Sequence, residues 1–316
     1  MAVEVARALM SSFATRTGLD SARPPRRYLW TDAFAVTNFL ALGDVASALR
    51  LVDAVHAELG RGATGGGLRI GKPLPERGRD ETYDSRLEWE RDGQYFHYLT
   101  KWMHALAEVA RVTCDATYLD RGRELAMTAH RAFVYGPPGR RRMYWKMSVD
   151  LSRPQVPSMG HHDPLDGYVT ARELGDLDAI AADYRAMIDP DGLATDDALG
   201  LGGLLADAAR LTTLRADEPL RDALVTAAAA GLRVFAAQRE LEARVERRLA
   251  FRELGLAIGL SAVRTLDAAR AVEPYQPLAT RILGTWTRED SRASITYEDH
   301  LDINDVMLAT ALLASR

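Results

Sequence analysis

Between Tyr144 and Thr170 the chain runs YWKMSVDLSRPQVPSMGHHDPLDGYVT, which sets Trp145, Lys146, His161, His162, Asp163 and Asp166 among three prolines. A solvated loop rarely gathers so many titratable and aromatic side chains beside residues that stiffen the backbone. Histidine titrates near neutrality and can donate or accept a proton, and a pair of carboxylates can divide acid and base roles between them. The candidate acid–base groups are therefore His161, His162 and Asp166. Asp32 in WTDAF, Glu88 in SRLEWE and Asp299 in TYEDHLD could supply a second carboxylate. The candidate binding groups are Trp30, Arg86, Trp89, Tyr95, His97, Trp145, Lys146 and Asp163, because aromatic faces suit C–H-rich rings while charged groups bond hydroxyls. Each has a structural alternative. Asp32, Asp163 and Asp299 could cap helices, Glu88 could pair with Arg86, the tryptophans could pack loops on a core, and His97 could be a core histidine. Paired histidines, His97 with His161 or His162, and His300 as a further candidate, could instead shuttle a proton across a carbon centre.

Nearly every long segment around these residues has helical periodicity, and runs alternating with period two are almost missing. Helices are expected over about 3–17, 32–42, 44–59, 93–112, 118–134, 164–174, 177–188, 197–214, 220–238, 249–266, 278–286 and 299–314. Gly43-Asp44 and Gly175-Asp176 are tight turns that force antiparallel helical hairpins. Long polar connections alternate with such short turns at a spacing of about fifty residues. TDAFAVTNFLAL, DDALGLGGLLADA, LAFRELGLAIGL and DINDVMLATALL are apolar nearly all round, whereas VASALRLVDAVHAEL and LDRGRELAMTAHRAF carry wide polar faces. The pattern predicts an all-α fold: an (α/α)6 barrel, or toroid, spanning residues 1–316 as one domain, with an open α-solenoid as the alternative. The long loops, with Asp32, Glu88, Asp163 and Asp299 in or beside them, then meet at the rim formed by the N-terminal ends of the inner helices.

RRYLWTDAFAV, DHLDINDVMLATALL and the helical repeat resemble the six-hairpin superfamily, which includes the N-acylglucosamine 2-epimerase group and unsaturated glucuronyl hydrolases. The resemblance covers the whole chain and lies in the fold and in the character of the loops, without a matched catalytic motif. It implies a carbohydrate-active enzyme, a glycoside hydrolase or a sugar epimerase, whose partner is a small-molecule substrate, a sugar. The alternative is a non-catalytic toroid that binds a sugar or metabolite or scaffolds a protein partner. The oligomeric state is open.

Other classes are disfavoured. The net charge of −4 and the interspersed Arg and Asp/Glu argue against a nucleic-acid or anionic-membrane surface. Cys114, the single cysteine, excludes intrachain disulfides and thiolate zinc clusters. The HHD triplet has no zinc-type spacing around it, so no metal and no other cofactor is expected. GATGGGLRIGK lacks the strand and the Ser/Thr of a phosphate loop and is expected to be a flexible lid. The N-terminal segment has the form of an amphipathic helix rather than a signal peptide, and no stretch has the ~20 apolar residues that span a bilayer, so a cytoplasmic protein is expected.

Overall fold

The computed structural model describes residues 2–78 and 80–315. After helix α1 (Ala2–Arg16), the chain forms α2 (Leu29–Ala41), α3 (Val45–Leu59), the short α4 (Ser85–Glu90), α5 (Phe96–Thr113), α6 (Ala116–Phe133), α7 (Asp163–Leu174) and α8 (Asp178–Met187). Then follow α9 (Ala198–Leu214), α10 (Glu218–Gln238), α11 (Ala250–Val263), α12 (Gln276–Trp286), the one-turn α13 (Glu289–Arg292) and α14 (Ile295–Glu298), and α15 (Leu301–Ala314). The contacts divide the chain into two compact units, Ala14–Ile188 and Met1–Phe13 with Asp189–Arg316.

In the Ala14–Ile188 unit, α2/α3, α5/α6 and α7/α8 are hairpins, and α5 packs between α2 and α7. The turn chemistry follows the sequence. Gly43 takes φ +77°, a left-handed value that glycine adopts at little cost, and Asp44 then caps α3 by accepting from Ser47 N at 3.0 Å. Cys114 adopts the left-handed C-cap position of α5, and Asp115 caps α6 through Thr117 N at 2.9 Å. Helix α7 is buried over most of its length, from Asp163 through Ala171. That run contains two carboxylates, which must therefore find partners or hold protons.

In the other unit, α9/α10 and α11/α12 are hairpins, and α11 lies between α9 and α15. Glycine brings α9 and α11 together, since a Cβ on Gly202 would fall 2.1 Å from the Gly255 carbonyl oxygen. A buried ion pair anchors α11. Arg248 donates to both oxygens of Glu253 at 2.7 and 2.6 Å, and Trp286 Nε1 donates to Glu253 Oε2 at 2.7 Å.

Several expectations change. Helix α2 starts at Leu29 with Tyr28 as N-cap, because the Asp32 carboxylate reaches back to accept from Tyr28 N at 2.9 Å, as in a capping box. The last helix starts at Leu301 rather than Asp299. The loops also form short antiparallel ladders. Strands β1 (Gln94–Tyr95), β4 (Lys146–Met147) and β5 (Pro154–Val156) make one sheet, and β2 (Val134–Tyr135) pairs with β3 (Arg142–Met143). Register places Tyr95 opposite Lys146 and Lys146 opposite Val156.

The glycine-rich stretch packs down as well. Leu68 and Ile70 are buried, Ile70 N donates to Gly93 O at 2.7 Å, and Gln94 Nε2 donates to Gly66 O and Val149 O. Asp92 ties the segment down by accepting from Arg69 Nη1 and from the backbone of Gly71 and Lys72. It forms a wall built from loops rather than a lid.

Candidate functional site

The ladder β1–β4 delivers Tyr95 and Trp145 to the N-terminal end of α5, where His97 occupies the first turn. Trp145 lies one residue before β4, and its carbonyl accepts from Phe96 N at 3.3 Å. The ring centroids of Tyr95 and His97 are 5.3 Å apart and stacked, those of His97 and Trp145 are 6.3 Å apart, and Trp89 meets Trp145 edge-on at 4.8 Å. Tyr98 closes the other side of His97 at 4.8 Å and shares a 2.7 Å hydroxyl hydrogen bond with Tyr28. Trp89 keeps 37% of its surface exposed, so the cluster has an accessible aromatic face.

Helix α7 brings carboxylates to this aromatic corner. Its N-cap is His162, so Asp163 is the first helical residue and its side chain is not needed as the cap. Asp163 Oδ1 lies 3.7 Å from His97 Nδ1, and its Oδ2 is packed against Gly160, where an added Cβ would sit 2.4 Å away. One turn on, Asp166 accepts from Lys101 Nζ of α5 at 2.9 Å. Residues three apart on a helix share a face, with Cβ atoms roughly 5–6 Å apart. Asp163 and Asp166 therefore present one pair of carboxyl groups to α5.

Electrostatics divide the roles of these groups. Burial pushes the Asp163 carboxyl well above the usual carboxylate range, and the negative charge of Asp166 adds to the effect. Asp163 thus holds its proton to higher pH than an exposed carboxyl does. Crowding by protein atoms pushes His97 down to about 4, with the positive charge of Lys101 adding to the shift and Asp166 opposing it. His97 retains 27% side-chain exposure, so it is desolvated without being sealed off. It is a neutral imidazole at physiological pH. Three buried polar atoms in this corner lack a hydrogen-bond partner: His97 Nδ1, Asp163 Oδ2 and Trp145 Nε1. Buried polar atoms are nearly always satisfied, and a cluster of exceptions marks a place where a ligand's polar groups fit.

The other candidates separate from this corner. Lys146 is fully buried, and its ammonium donates to Glu88 O at 2.5 Å and Arg91 O at 2.6 Å. It lies 5.2 Å from the Tyr95 ring, and burial, with the nearby Lys72, pulls it down to about 8. It supports the aromatic wall from behind. Glu88 is buried against Arg77, which donates to Oε1 at 2.5 Å, while Arg86, the partner expected from sequence, is exposed on α4. Asp32 accepts from Arg27 as well as from the Tyr28 backbone. Trp30 is buried against Phe34. His161 is exposed and meets the half-buried His162 ring at 4.4 Å. Asp299 and His300 are exposed in the other unit, where Asp299 is the C-cap of α14. Among the described residues, no group of three or more His, Cys, Asp or Glu side chains could hold a metal ion, and no helix is long and apolar enough to cross a membrane.

Lys101, Tyr98 and Tyr28 were not singled out from sequence. The signal for Lys101 was present: His97, Lys101 and His104 recur at helical spacing and form a polar stripe on an otherwise buried helix. The two tyrosines had no such mark.

No family model matches the chain. No curated protein matches it either. Solved structures do. An α-1,6-mannanase from a Salegentibacter species aligns over 99% of this chain and 100% of its own, with a TM-score of 0.63 at 12% identity. The fold is that of the six-hairpin (α/α)6 toroid enzymes. An unsaturated glucuronyl hydrolase specific for heparin aligns over 99% of this chain and 95% of its own, with a TM-score of 0.56 at 13% identity. The cellobiose 2-epimerase of Bacillus thermoamylovorans covers 90% of this chain and 85% of its own, with a TM-score of 0.55 at 10% identity. The mannanase structure is of an inactive variant with two consecutive aspartates replaced by asparagine, and it holds α-1,6-mannotriose.

Proposed function

We propose that this protein is a carbohydrate-active enzyme, a glycoside hydrolase whose acid–base groups are Asp163 and Asp166, with Trp89, Tyr95 and Trp145 as the sugar platform. The observation that carries this reading is the convergence of three unsatisfied buried polar atoms, on His97, Asp163 and Trp145, beside an accessible tryptophan. Asp163 supplies a proton to a leaving oxygen, which is the task of a carboxyl held protonated by burial. Asp166, one turn away and held by Lys101, supplies the second carboxylate that glycoside hydrolysis requires. The fold agrees, since the solved structures that share it include a mannanase and a glucuronyl hydrolase.

A second reading rests on one feature. His97 is pushed down to about 4, its Nδ1 is unpartnered, and it lies beside Asp163, whose carboxyl burial pushes up. A base next to an acid could move a proton across a sugar carbon, as an epimerase must. The two readings differ in product. A panel of neutral and uronic oligosaccharides, analysed for both released reducing sugar and epimerised product, separates them. Hydrolysis predicts that Asp163→Asn and Asp166→Asn each lower kcat by about 10²–10⁴, while His97→Gln acts mainly on KM. If His97→Gln abolishes turnover and epimer accumulates, the hydrolase assignment is wrong. If neither product forms and no sugar of the panel binds, the enzyme reading fails.

A further inference from the structure

A cleft of ≈ 330 Å³ lies between α1 and the segment that leads into α15. Its α1 wall holds Val5 and Leu9 with Ala8 and Ser12, positions that recur on one face of a helix. Ala8 and Ser12 are exposed, so the cleft opens to solvent on this side. The opposite wall is fixed. Tyr297 is buried with its ring 5.8 Å from that of Trp286, its hydroxyl donates to Asp305 Oδ1 at 3.0 Å, and its carbonyl accepts from Asn304 Nδ2 at 3.0 Å.

Arg292, the last residue of α13, lines the same cleft. It is half-buried, and its Nε is buried without a hydrogen-bond partner. Among the described residues its guanidinium forms no salt bridge. The other arginine of this segment is differently placed: Arg288 donates to both carboxylate oxygens of Asp290, which also accepts from Ser291 N. Asp290 is thereby engaged elsewhere. A guanidinium is always charged, and one that has given up water at Nε without gaining an acceptor is costly until an anion arrives.

We infer that this cleft is a ligand site for a small organic monocarboxylate with an apolar body. The carboxylate pairs with Arg292 in the two-pronged geometry that planar groups favour, and the body lies against Val5, Leu9 and Leu301. The volume is at the small end of ligand pockets, which excludes a polymer. Charge sets a second limit. Asp305 lines the cleft too, so a ligand with a second negative charge, such as phosphate, meets repulsion there. The lining residues all belong to the unit of Met1–Phe13 and Asp189–Arg316, whereas the aromatic corner belongs to Ala14–Ile188. The inference therefore does not rest on the carbohydrate reading.

The test is an amide NMR titration of the full chain with sodium hexanoate, up to about 10 mM, a concentration that detects even weak sites. Amides of residues 5–12 and 292–305 should shift saturably. Arg292→Gln should weaken hexanoate about ten-fold or more, the usual loss when a charged hydrogen-bond partner is removed. Hexanamide, with the same body and no charge, should bind the unaltered protein about as weakly as hexanoate binds that variant. Ala8→Phe, which fills the cleft from an exposed helical position, should block hexanoate while the far-UV circular dichroism stays the same. Equal affinity for hexanoate and hexanamide, unchanged hexanoate affinity in Arg292→Gln, inorganic phosphate binding more tightly than hexanoate, or no saturable shift at these residues overturns the inference. If one variant does not fold, the other variant and hexanamide decide the question. None of these outcomes bears on Asp163 or Asp166, and a failed sugar screen leaves the titration intact.

Discussion

His97 and Asp163 shift in opposite directions for one reason: each is more stable uncharged in the crowded corner than it would be in water. The pair makes a prediction about pH and folding. Asp163 keeps its proton in the folded state to higher pH than in the unfolded chain. The folded state therefore binds more protons, and this residue's contribution to stability is full below about pH 4 and declines as pH rises above it. His97 behaves oppositely. The unfolded chain takes up its proton near pH 6.5 and the folded state only at about 4, so its contribution is full above 6.5 and is lost as pH falls through that window. In the unaltered protein the two slopes oppose each other. Single substitutions separate them. Denaturant unfolding at a series of pH values should show Asp163→Asn gaining stability between pH 4 and 6.5, by up to about 3 kcal/mol. His97→Gln should lose stability over the same range. Parallel slopes in the two variants would mean that the charges are not set by this corner.

The same residues show what sequence could and could not convey. That Asp163 and Asp166 share a face follows from their spacing alone, and the clustering of Trp145, His161 and His162 drew attention to the segment that holds them. Neighbours within that segment could not be sorted, because an extended chain does not state which way its side chains turn. His161 is exposed, and Lys146, expected at the binding surface, lies beneath it. The carboxylates Asp32 and Glu88 look like site residues until their cations are known, and Arg27 and Arg77 come from loops whose course has no periodic signature.

At the scale of elements, helices were legible because apolar residues repeat every three or four positions over more than ten residues. Strands of two or three residues leave no such pattern, so the β1–β4–β5 sheet was invisible, although it aims Tyr95 and Trp145. The glycines of the 60s read as freedom, yet Gly67, at φ +78°, lets the backbone lie against Gln94, where a Cβ would come 2.1 Å from Oε1. This wall depends on Lys146. Its ammonium satisfies the carbonyls of Glu88 and Arg91 at the C-terminal end of α4, in a place where water does not reach it. Lys146→Met keeps most of the apolar stem but leaves those carbonyls without their donor. The expected cost is about 2–3 kcal/mol, concentrated in the 72–92 segment. Hydrogen exchange should rise there and around Trp89 while α5 and α6 stay protected. Uniform protection throughout would show that the ammonium is dispensable.

For the molecule as a whole, the question is whether two compact units behave as the single domain we propose for residues 1–316. The likeness to whole toroid enzymes extends over 99% of the chain, which supports the proposal that the entire sequence is one domain. The buried Arg248–Glu253 pair offers a way to test it. Arg248 makes two short bonds to Glu253, stacks 5.3 Å from the Trp286 ring centre, and is almost without solvent contact. Glu253→Gln removes the negative charge and leaves the guanidinium buried with a neutral partner. Breaking a buried pair in this way costs about 3–5 kcal/mol, because the remaining charge has lost both water and counter-ion. The disturbance begins among α11, α12 and the residues before α11, far along the chain from α5 and α7. If the chain is one cooperative domain, calorimetry of Glu253→Gln shows a single transition at lower temperature, and the slowest-exchanging amides of α5 and α7 lose protection together with those of α9 and α11. If the units are independent, the variant melts in two steps, and α5 and α7 keep their protection unchanged. In that case the proposed acid–base corner, which lies wholly within Ala14–Ile188, keeps its His97 titration midpoint even while the other unit is unfolded.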